Sequence, residues 1–414
     1  MTAFPDAPMA VLLGADSLRG PRSGVGRMTL EITEAVLPRP EIAAVRLSVG
    51  GHIVLPGPLL AQLHTPGGTA LEGPLPLPLP LPLPLRRVLL RRAVRVAARV
   101  PAVQSVFAAR RRWRQRAALS ELRAAHPGRL VYHEPNMVPQ PFDGPTVATV
   151  NDLSWHHHPE FHPADRLAWI ARNLRRMLGA TRFVAISRFT AESLAREFGV
   201  DPVLIDVVPL AAGAQFVPVS SEDAAAALAR HRLVDRSYIL SVSTLEPRKN
   251  FDRLMTAHLA LPVALRRRVP LVIIGGAGWG STLASPQAEG ARQDGSLRLL
   301  GHVSDADLVA LYARAAVFAY VSLYEGFGLP VLEAMATGVP VLASSTTATA
   351  ETAGGAARLV DPMEPDAISE GLRELVEDAA LSAALSAKGL AHAADFTWDR
   401  TATDLIRTWR RALG

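Results

Sequence analysis

The chain has 414 residues, of which 49% are hydrophobic and 20% charged, with a formal net charge of +6. This length exceeds what one hydrophobic core usually serves, so two domains of roughly 200 residues each are expected in a soluble globular protein. Cysteine is absent, which excludes disulfides and thiolate metal sites and favours a reducing cytoplasm. Residues 1–14 have no basic leader and only a short apolar run, so we expect a first strand there rather than a signal peptide.

Short apolar strands alternate with helical periods along the chain, a pattern typical of parallel α/β sheets. A domain boundary is expected near 211–218, and residues 398–413 have the length and amphipathic pattern of a final helix. The strands are predicted at Val11–Leu13, Leu130–Tyr132, Thr146–Val150, Arg182–Ile186, Ile205–Val208, Tyr238–Val242, Leu271–Ile274, Val317–Tyr320 and Val339–Ala343.

One segment of the first half fits no ordinary loop. Residues 74–84 form a Leu-Pro repeat, which predicts an extended, polyproline-like spacer. Residues 86–116 then contain eleven arginines and no acidic residue, and a helical projection separates arginines from apolar residues. This pattern indicates either a basic helix at an anionic membrane surface or a domain helix with its arginines in water. Nucleic-acid binding is a weaker alternative because no nucleic-acid motif accompanies the charge.

Two conspicuous motifs are not predicted to hold a metal or a cofactor. The three consecutive histidines at 156–158 cannot all face one metal from a regular strand, and neither they nor His162 have a carboxylate at a familiar ligand spacing. The run Gly275-Gly-Ala-Gly278 follows a predicted strand, but it continues into Trp279-Gly-Ser rather than a helix. It is therefore not a dinucleotide fingerprint.

A pair of cations follows a predicted buried strand in the second half. The strand at 238–242 leads into the loop Thr244-Leu-Glu-Pro-Arg-Lys-Asn250, and a helix is expected to begin near Phe251. Ligands bind at the carboxyl ends of strands in open α/β sheets, where paired cations suit a diphosphate; the alternative is a solvated Arg-Lys pair. Only two of the 44 basic residues are lysines, so a lysine at 249 indicates that a compact ammonium is required there.

Two glutamates bracket a glycine-rich turn further along the chain. Glu325 precedes the turn Gly-Phe-Gly-Leu-Pro, and Glu333 lies in a helix predicted at 331–337. The free backbone N–H groups between them attract anions and hydroxyls, and the carboxylates can accept hydrogen bonds from a sugar or a ribose. The alternative is a strand-turn-helix unit whose acids are placed for the helix dipole.

Together these residues resemble the retaining nucleotide-sugar glycosyltransferases of the GT-B class, in particular glycosyltransferase family 4. Within that family, the chain resembles bacterial mannosyl- and rhamnosyltransferases of O-antigen and other surface polysaccharides. Asn151 stands where the family usually has histidine, and Arg248 replaces an arginine that many members carry near 243–244. Residues 23–27 match the family's glycine-rich loop. The resemblance rests further on 151–155, 161–163, 244–250, 301–308, 324–330, 338–341 and 359–362.

This resemblance implies an α/β fold of the GT-B type, with two Rossmann-like domains whose parallel sheets face each other across a cleft. Residues 1–213 would form the acceptor-side domain, with the spacer and basic helix of 74–116 as an insertion. Residues 214–395 would bind the nucleotide-sugar donor, and a helix at 396–414 would cross back to the first domain.

The resemblance also implies roles for individual residues. Arg248 and Lys249 would neutralise the leaving diphosphate, and Glu325 would hold the sugar. Asn151 and Asp152 would line the facing wall near the reacting carbon, which completes the catalytic set. The implied substrate-binding residues are Gly24, Gly26, Arg27, Ser187, Thr244, His302, Val303, Gly326, Phe327, Gly328, Leu329 and Glu333, the last of these at the ribose.

The expected function is therefore retaining, metal-independent transfer of a hexose, of mannose or rhamnose type, to a glycan or lipid-linked glycan. The donor would be a nucleoside-diphosphate sugar, preferably GDP-linked, with no further cofactor and no nucleic-acid partner. The location would be cytoplasmic, with peripheral contact to the inner face of the membrane through 86–116. Two alternatives stay open: a sugar-nucleotide epimerase on the same scaffold, and a non-catalytic, membrane-bound transferase partner that lacks the family histidine.

Overall fold

A computed structural model of the chain describes residues 7–19, 24–64, 116–279 and 283–414. Within these ranges the strands form two sheets of seven and six strands. Both sheets have central strands buried on their two faces, as expected for parallel α/β architecture. The strands are β1 Met9–Gly14, β2 Ile42–Val49, β3 His52–Val54, β4 Leu130–Glu134, β5 Thr146–Val150, β6 Arg182–Ala185, β7 Ile205–Val207, β8 Ile239–Val242, β9 Leu271–Ile274, β10 Leu297–Gly301, β11 Val317–Tyr320, β12 Val341–Ser344 and β13 Arg358–Val360.

The strand order in both sheets is that of a Rossmann-like fold. The seven-stranded sheet has the order β3-β2-β1-β4-β5-β6-β7, and the six-stranded sheet has the order β10-β9-β8-β11-β12-β13. The first strand of each sheet along the chain, β1 or β8, lies inside its sheet with neighbours on both sides. These neighbours run parallel to it, so their carboxyl ends meet at one edge of the sheet. The expected α/β architecture with two Rossmann-like parallel sheets is confirmed. One pair departs from it, since β3 runs antiparallel to β2.

Helices alternate with these strands along the chain. They are α1 Gly24–Val36, α2 Pro56–His64, α3 at 116–125, α4 Ser154–His157, α5 Ala164–Leu178, α6 Arg188–Phe198, α7 Ser221–Arg230, α8 Phe251–Ala260, α9 Val263–Arg268, α10 Pro286–Gln293, α11 Asp305–Ala313, α12 Leu329–Ala336, α13 Thr347–Ala353, α14 Pro365–Glu377, α15 Ala379–Ala393 and α16 Trp398–Leu413. None of the helices in the described ranges is long and apolar enough to cross a membrane.

The chain forms two compact units. The first contains Met1–Thr149, Arg175–Phe183 and Leu405–Gly414, and the second contains Val150–Leu174 and Val184–Asp404. In the first unit, the end of α16 contributes the fully buried Trp409, whose ring lies 5.6 Å from that of His133. The second unit contains the whole six-stranded sheet and an apolar core beneath it. The predicted boundary at 213 stays a prediction, as does the return of residues 396–414.

The strands that sequence reasoning missed lie at sheet edges or beside them. β2 is only partly buried along its first half, and Leu299 of the edge strand β10 is exposed. Their polar residues interrupt the apolar run that identifies a central strand. The helix expected at 331–337 begins earlier, at Leu329, because Pro330 sits in the first turn, where its missing N–H costs no hydrogen bond.

Candidate functional site

A buried ion cluster forms at the carboxyl end of β8 in the second unit. Lys249 Nζ donates to Glu325 Oε1 at 2.6 Å, and Arg248 Nη1 donates to Glu325 Oε2 at 2.9 Å. The Tyr320 hydroxyl donates to the same Oε1 at 2.8 Å and lies 2.9 Å from Lys249 Nζ. The lysine and glutamate side chains are each 9% exposed. The two cations predicted at this strand end therefore share one carboxylate, which the sequence had placed separately at the sugar.

Local backbone geometry brings this cluster together. Residues Pro247–Lys249 form a single 3-10 turn after β8, and Asn250 then takes a left-handed conformation at φ 61° before α8 begins. The Asn250 amide donates to the Val321 carbonyl at 2.9 Å and to the Pro362 carbonyl at 2.7 Å. Asn250 thus ties the loop after β8 to the loop after β11, which carries Glu325.

The charges of the cluster shift the pKa values of its members. Burial raises the pKa of Glu325, but Arg248, Lys249 and two hydrogen bonds outweigh burial and lower it to about 2. Burial, and next the Arg248 guanidinium, lower the pKa of Lys249. Burial raises the pKa of Glu246, whose carboxylate lies 3.6 Å from Arg248. Glu325 is therefore the fixed anion, and Glu246 is the carboxyl that takes up a proton more readily.

We expect the pairing of Glu325 with its two cations to make the free energy of unfolding depend on pH in the acidic range. Because the pKa of Glu325 is lower in the folded state, its ionised carboxylate stabilises the fold at pH values above the ordinary pKa of 4.5. This contribution is lost as the pH falls towards about 2. Such a shift corresponds to about 3 kcal/mol of unfolding free energy. Urea unfolding is measured between pH 6 and pH 2.5. The difference in unfolding free energy between wild type and Glu325→Gln should become smaller as the pH falls. A difference that stays constant over this range would contradict the pairing.

The second predicted glutamate lies in the helix after the glycine-rich turn. Gly328, at φ 93°, precedes α12, and Glu333 lies in that helix with 5% of its surface exposed. The Tyr312 hydroxyl donates to Glu333 Oε2 at 3.1 Å. The buried Phe327 contributes its carbonyl as acceptor to the Thr352 hydroxyl at 2.6 Å. The turn between the two glutamates is thus held by hydrogen bonds on both sides, as a preformed anion or hydroxyl site requires.

Gly326 meets two other predicted residues within the second unit. A Cβ atom at this position would lie 1.8 Å from the Asn151 carbonyl oxygen, so only glycine fits. The Ser187 hydroxyl donates to the Gly326 carbonyl at 2.7 Å. Asp152 Oδ1 accepts from the Ser154 N–H at 3.0 Å and from its hydroxyl at 2.7 Å. Asn151, Ser187 and Gly326 are therefore brought together, and Asp152 holds the turn that follows.

The remaining predicted residues lie elsewhere on the two units. Thr244 is exposed in the loop after β8, and its carbonyl accepts from the Glu246 N–H. His302 is exposed and Val303 is buried just after β10. In the first unit, the segment predicted as a glycine-rich loop is instead the start of a helix: Gly24, Gly26 and Arg27 all lie in α1. Each glycine costs a helix only about 1 kcal/mol relative to alanine, so two glycines do not prevent a helix there.

Tyr320 and Glu246 belong to the cluster but were not predicted. Tyr320 ends the predicted strand at 317–320, and a polar side chain at the carboxyl end of a buried strand was the available signal. Glu246 lies within the quoted loop motif, one position before Pro247. Its burial could not be inferred from sequence because short acidic loop residues are usually exposed.

Among the described residues, the histidines and the run at 275–278 make structural contacts. The His157 ring stacks on Tyr324 at 5.5 Å and the His158 ring stacks on Phe161 at 5.1 Å. The run at 275–278 leads to Trp279, whose indole N–H donates to the Phe161 carbonyl, and the next described helix begins only at Pro286. Over the described ranges, no group of three or more metal-ligating side chains is placed to hold an ion.

Two Rossmann-like sheets, with a buried cation-carboxylate cluster after the first strand of the second sheet, agree with a GT-B fold. The family model for glycosyl transferases group 1 matches residues 227–392. O-antigen chain mannosyltransferase B of Escherichia coli is 30% identical over 404 residues, which cover 97% of this chain and 100% of that protein. The chain belongs to the glycosyl transferases group 1 family.

Solved structures agree on the fold. HepE of Anabaena, crystallised with UDP and glucose, has a TM-score of 0.65 at 18% identity, covering 97% of this chain and 99% of that one. WaaG, a glycosyltransferase involved in lipopolysaccharide biosynthesis, has a TM-score of 0.63 at 15% identity, covering 96% and 98%. At these identities the likeness shows the fold alone, while the family match establishes that the chain is a glycosyltransferase.

Proposed function

We propose that the chain is a retaining, metal-independent hexosyltransferase of glycosyltransferase family 4. It would move a hexose of mannose or rhamnose type from a nucleoside-diphosphate sugar, preferably GDP-linked, to a glycan or lipid-linked glycan during surface polysaccharide synthesis. The observation that carries this proposal is the buried cluster of two cations on one carboxylate at the carboxyl end of β8. The name of the Escherichia coli relative, an O-antigen chain mannosyltransferase, supports the sugar class and the pathway.

The charges of the cluster suit a leaving diphosphate. Arg248 and Lys249 supply two positive charges, Glu325 keeps one negative charge, and burial raises the pKa of Glu246. Two buried cations thus face the single carboxylate of Glu325. A leaving diphosphate gains negative charge as the glycosidic bond breaks, so fixed cations stabilise the transition state more than the ground state.

The other roles follow from position in the second unit. Glu333 would accept hydrogen bonds from the ribose hydroxyls, and the backbone N–H groups of 326–329 would hold the sugar together with Glu325. Asn151, whose carbonyl contacts the turn at Gly326, would lie near the reacting carbon. No side chain is assigned as a covalent nucleophile; the diphosphate would leave from the same face that the acceptor attacks, which gives retention.

The first test is a thermal-shift series with GDP, UDP, ADP and dTDP. A diphosphate present at about 100 times its dissociation constant should add roughly 2.7 kcal/mol to the folded state, enough to rank the four bases. We expect GDP to give the largest shift. Failure of all four to shift the melting temperature would contradict the donor assignment. A larger shift with UDP than with GDP would indicate that the donor is a UDP-sugar.

One competing function is favoured by a specific residue. Asn151 stands where the family usually carries histidine, which is compatible with a non-catalytic transferase partner. Incubation with donor and acceptor separates the possibilities. Sugar transfer supports the proposal, nucleotide binding without any turnover indicates the partner, and conversion of the nucleotide sugar alone indicates an epimerase.

Location and membrane contact are part of the same proposal. A polysaccharide acceptor that grows on a lipid would bring the enzyme to the inner face of the cell membrane from the cytoplasm. Peripheral contact was predicted through the arginine-rich segment 86–116 and its Leu-Pro spacer at 74–84. Residues 65–115 lie outside the described residues, so this part of the proposal rests on the sequence.

A further inference from the structure

A hydrogen-bonded chain in the second unit connects a histidine with the buried ion cluster. Ser154, which is 1% exposed, donates its hydroxyl to Asp152 Oδ1 at 2.7 Å. The same hydroxyl oxygen lies 3.0 Å from His162 Nε2. Asp152 in turn acts on the cluster: burial lowers the pKa of Arg248, but the charges of Glu325 and next of Asp152 raise it. The chain therefore runs from His162 through Ser154 to a carboxylate beside Arg248.

The direction of these hydrogen bonds follows from the serine hydroxyl. A hydroxyl group has one hydrogen, and Ser154 gives it to Asp152. Towards His162 the serine oxygen can then only accept, so Nε2 of the imidazole must carry a hydrogen. His162 thus holds the Ser154 hydroxyl in the orientation in which it donates to the carboxylate.

The neutral form of His162 suits this arrangement. Burial, and next the charge of Arg166, lower the pKa of His162 from its ordinary value of 6.5. Arg248 acts in the same direction, whereas Asp152 and Glu160 oppose it. Nδ1 of the ring is buried and has no hydrogen-bond partner among the described residues. A second proton would therefore become a buried donor without an acceptor, which costs free energy.

The carboxylate at the other end of the chain has one oxygen left for a ligand. Asp152 Oδ1 accepts from both the N–H and the hydroxyl of Ser154, and in the described part of the chain Oδ2 accepts no hydrogen bond. Asp152 also lies against the turn that is proposed to hold the sugar, since a Cβ on Gly326 would lie 2.8 Å from Asp152 Cβ. Fixing one oxygen of a carboxylate fixes the direction of the other.

We propose that His162 is a positioning residue for sugar transfer, which acts through Ser154 to hold the Asp152 carboxylate in place beside the sugar-binding turn. This inference rests on the proposed function and adds a residue to its site. His162 does not touch the substrate in this scheme. Its loss should leave donor binding intact and slow the reaction, because small misplacements at a reacting centre are costly in rate.

The test compares His162→Gln with His162→Leu in the full chain. A glutamine amide can place an N–H group near the position of Nε2, whereas leucine fills space without a donor. GDP release from GDP-mannose is followed with methyl α-mannoside as acceptor. We expect His162→Leu to lower the turnover number at least about tenfold, with the Michaelis constant for GDP-mannose within about twofold of wild type. His162→Gln should stay within about threefold of the wild-type turnover number.

A double variant tests whether His162 acts through Ser154. Ser154→Ala should lower the turnover number about as much as His162→Leu does, and combining the two should lower it no further. His126→Leu is the matched control, because His126 is a half-buried histidine in the turn after α3 of the first unit. It should turn over as wild type does.

NMR of isotope-labelled histidine rings adds a measurement that does not depend on turnover. The signal that disappears in His162→Gln should show the hydrogen on Nε2 in wild type, and it should shift in Ser154→Ala. A hydrogen on Nδ1 instead would overturn the inference, because the serine would then have no donor to accept from.

Three kinetic results would also overturn it. They are wild-type turnover in His162→Leu, an equal loss in His162→Leu and His162→Gln, and a full further loss when His162→Leu is added to Ser154→Ala. A role in packing alone predicts the second result, since glutamine does not replace the ring. A wild type that releases no GDP from GDP-mannose, with its ring signal as expected, would count against the proposed function and not against the hydrogen-bonded chain.

Discussion

Replacing Lys249 with methionine should lower the turnover number at least about a hundredfold at saturating donor. Lys249 Nζ is held 2.6 Å from Glu325 Oε1 at the carboxyl end of β8, so its position is fixed before any diphosphate arrives. Methionine keeps much of the volume but removes the charge from the place where the leaving group becomes anionic. Release of nucleoside diphosphate, followed with donor and acceptor both present, gives the turnover number.

The same substitution should also destabilise the fold. Glu325 is buried and would lose one of its two cations, and removal of one partner from a buried ion pair costs about 3 kcal/mol. Urea unfolding measures this loss. A low turnover number could then reflect unfolding, so the stability effect must be separated from the catalytic one.

A double variant, Lys249→Met with Glu325→Gln, makes this separation. With both charges removed, most of the lost stability should return, because no uncompensated carboxylate remains buried. Transfer should stay low, since the cation is still missing. Recovery of transfer in the double variant would contradict the assignment of Lys249 to the leaving group, as would near wild-type turnover in Lys249→Met.

The chain offers a matched control in its other lysine. Lys388 is exposed on α15, remote in sequence from the cluster, and Lys388→Met should change neither turnover nor unfolding free energy by a measurable amount. Loss of activity there would indicate that methionine substitution itself, or net charge, affects the assay.

Sequence reasoning located the cluster because its parts follow buried strands. The central strands β5, β9 and β11 were predicted at their observed bounds, since their apolar runs are short and bounded by turn residues. A rare lysine after β8 and an acid before a glycine-rich turn then marked two loops at the same sheet edge. Parallel topology brings such loops together without any further information.

The sequence did not predict which side chains of the cluster pair with each other. Glu325 accepts from Arg248, Lys249 and Tyr320 at once, and this depends on side-chain reach between two loops and the end of β11.

Gly326→Ala should strongly damage the second unit. Its Cβ would lie 1.8 Å from the Asn151 carbonyl oxygen and 2.8 Å from Asp152 Cβ, and the Asn151 backbone cannot rotate away as a flexible side chain could. The segment beginning at Val150 must move, and the Ser187 hydrogen bond to the Gly326 carbonyl must lengthen. We expect a loss of about 2–4 kcal/mol in unfolding free energy.

Transfer in Gly326→Ala should fall more than stability alone explains. Displacement of Asn151 by an ångström or more at a reacting centre can cost about a hundredfold in rate. The control is Gly276→Ala, since a Cβ there meets nothing within 4 Å and its backbone does not have a positive φ. That variant should be unchanged or up to about 1 kcal/mol more stable, because alanine restricts the unfolded chain. If both alanine variants unfold at the wild-type urea concentration and transfer sugar normally, the contact between Asn151 and Gly326 does not hold the site together.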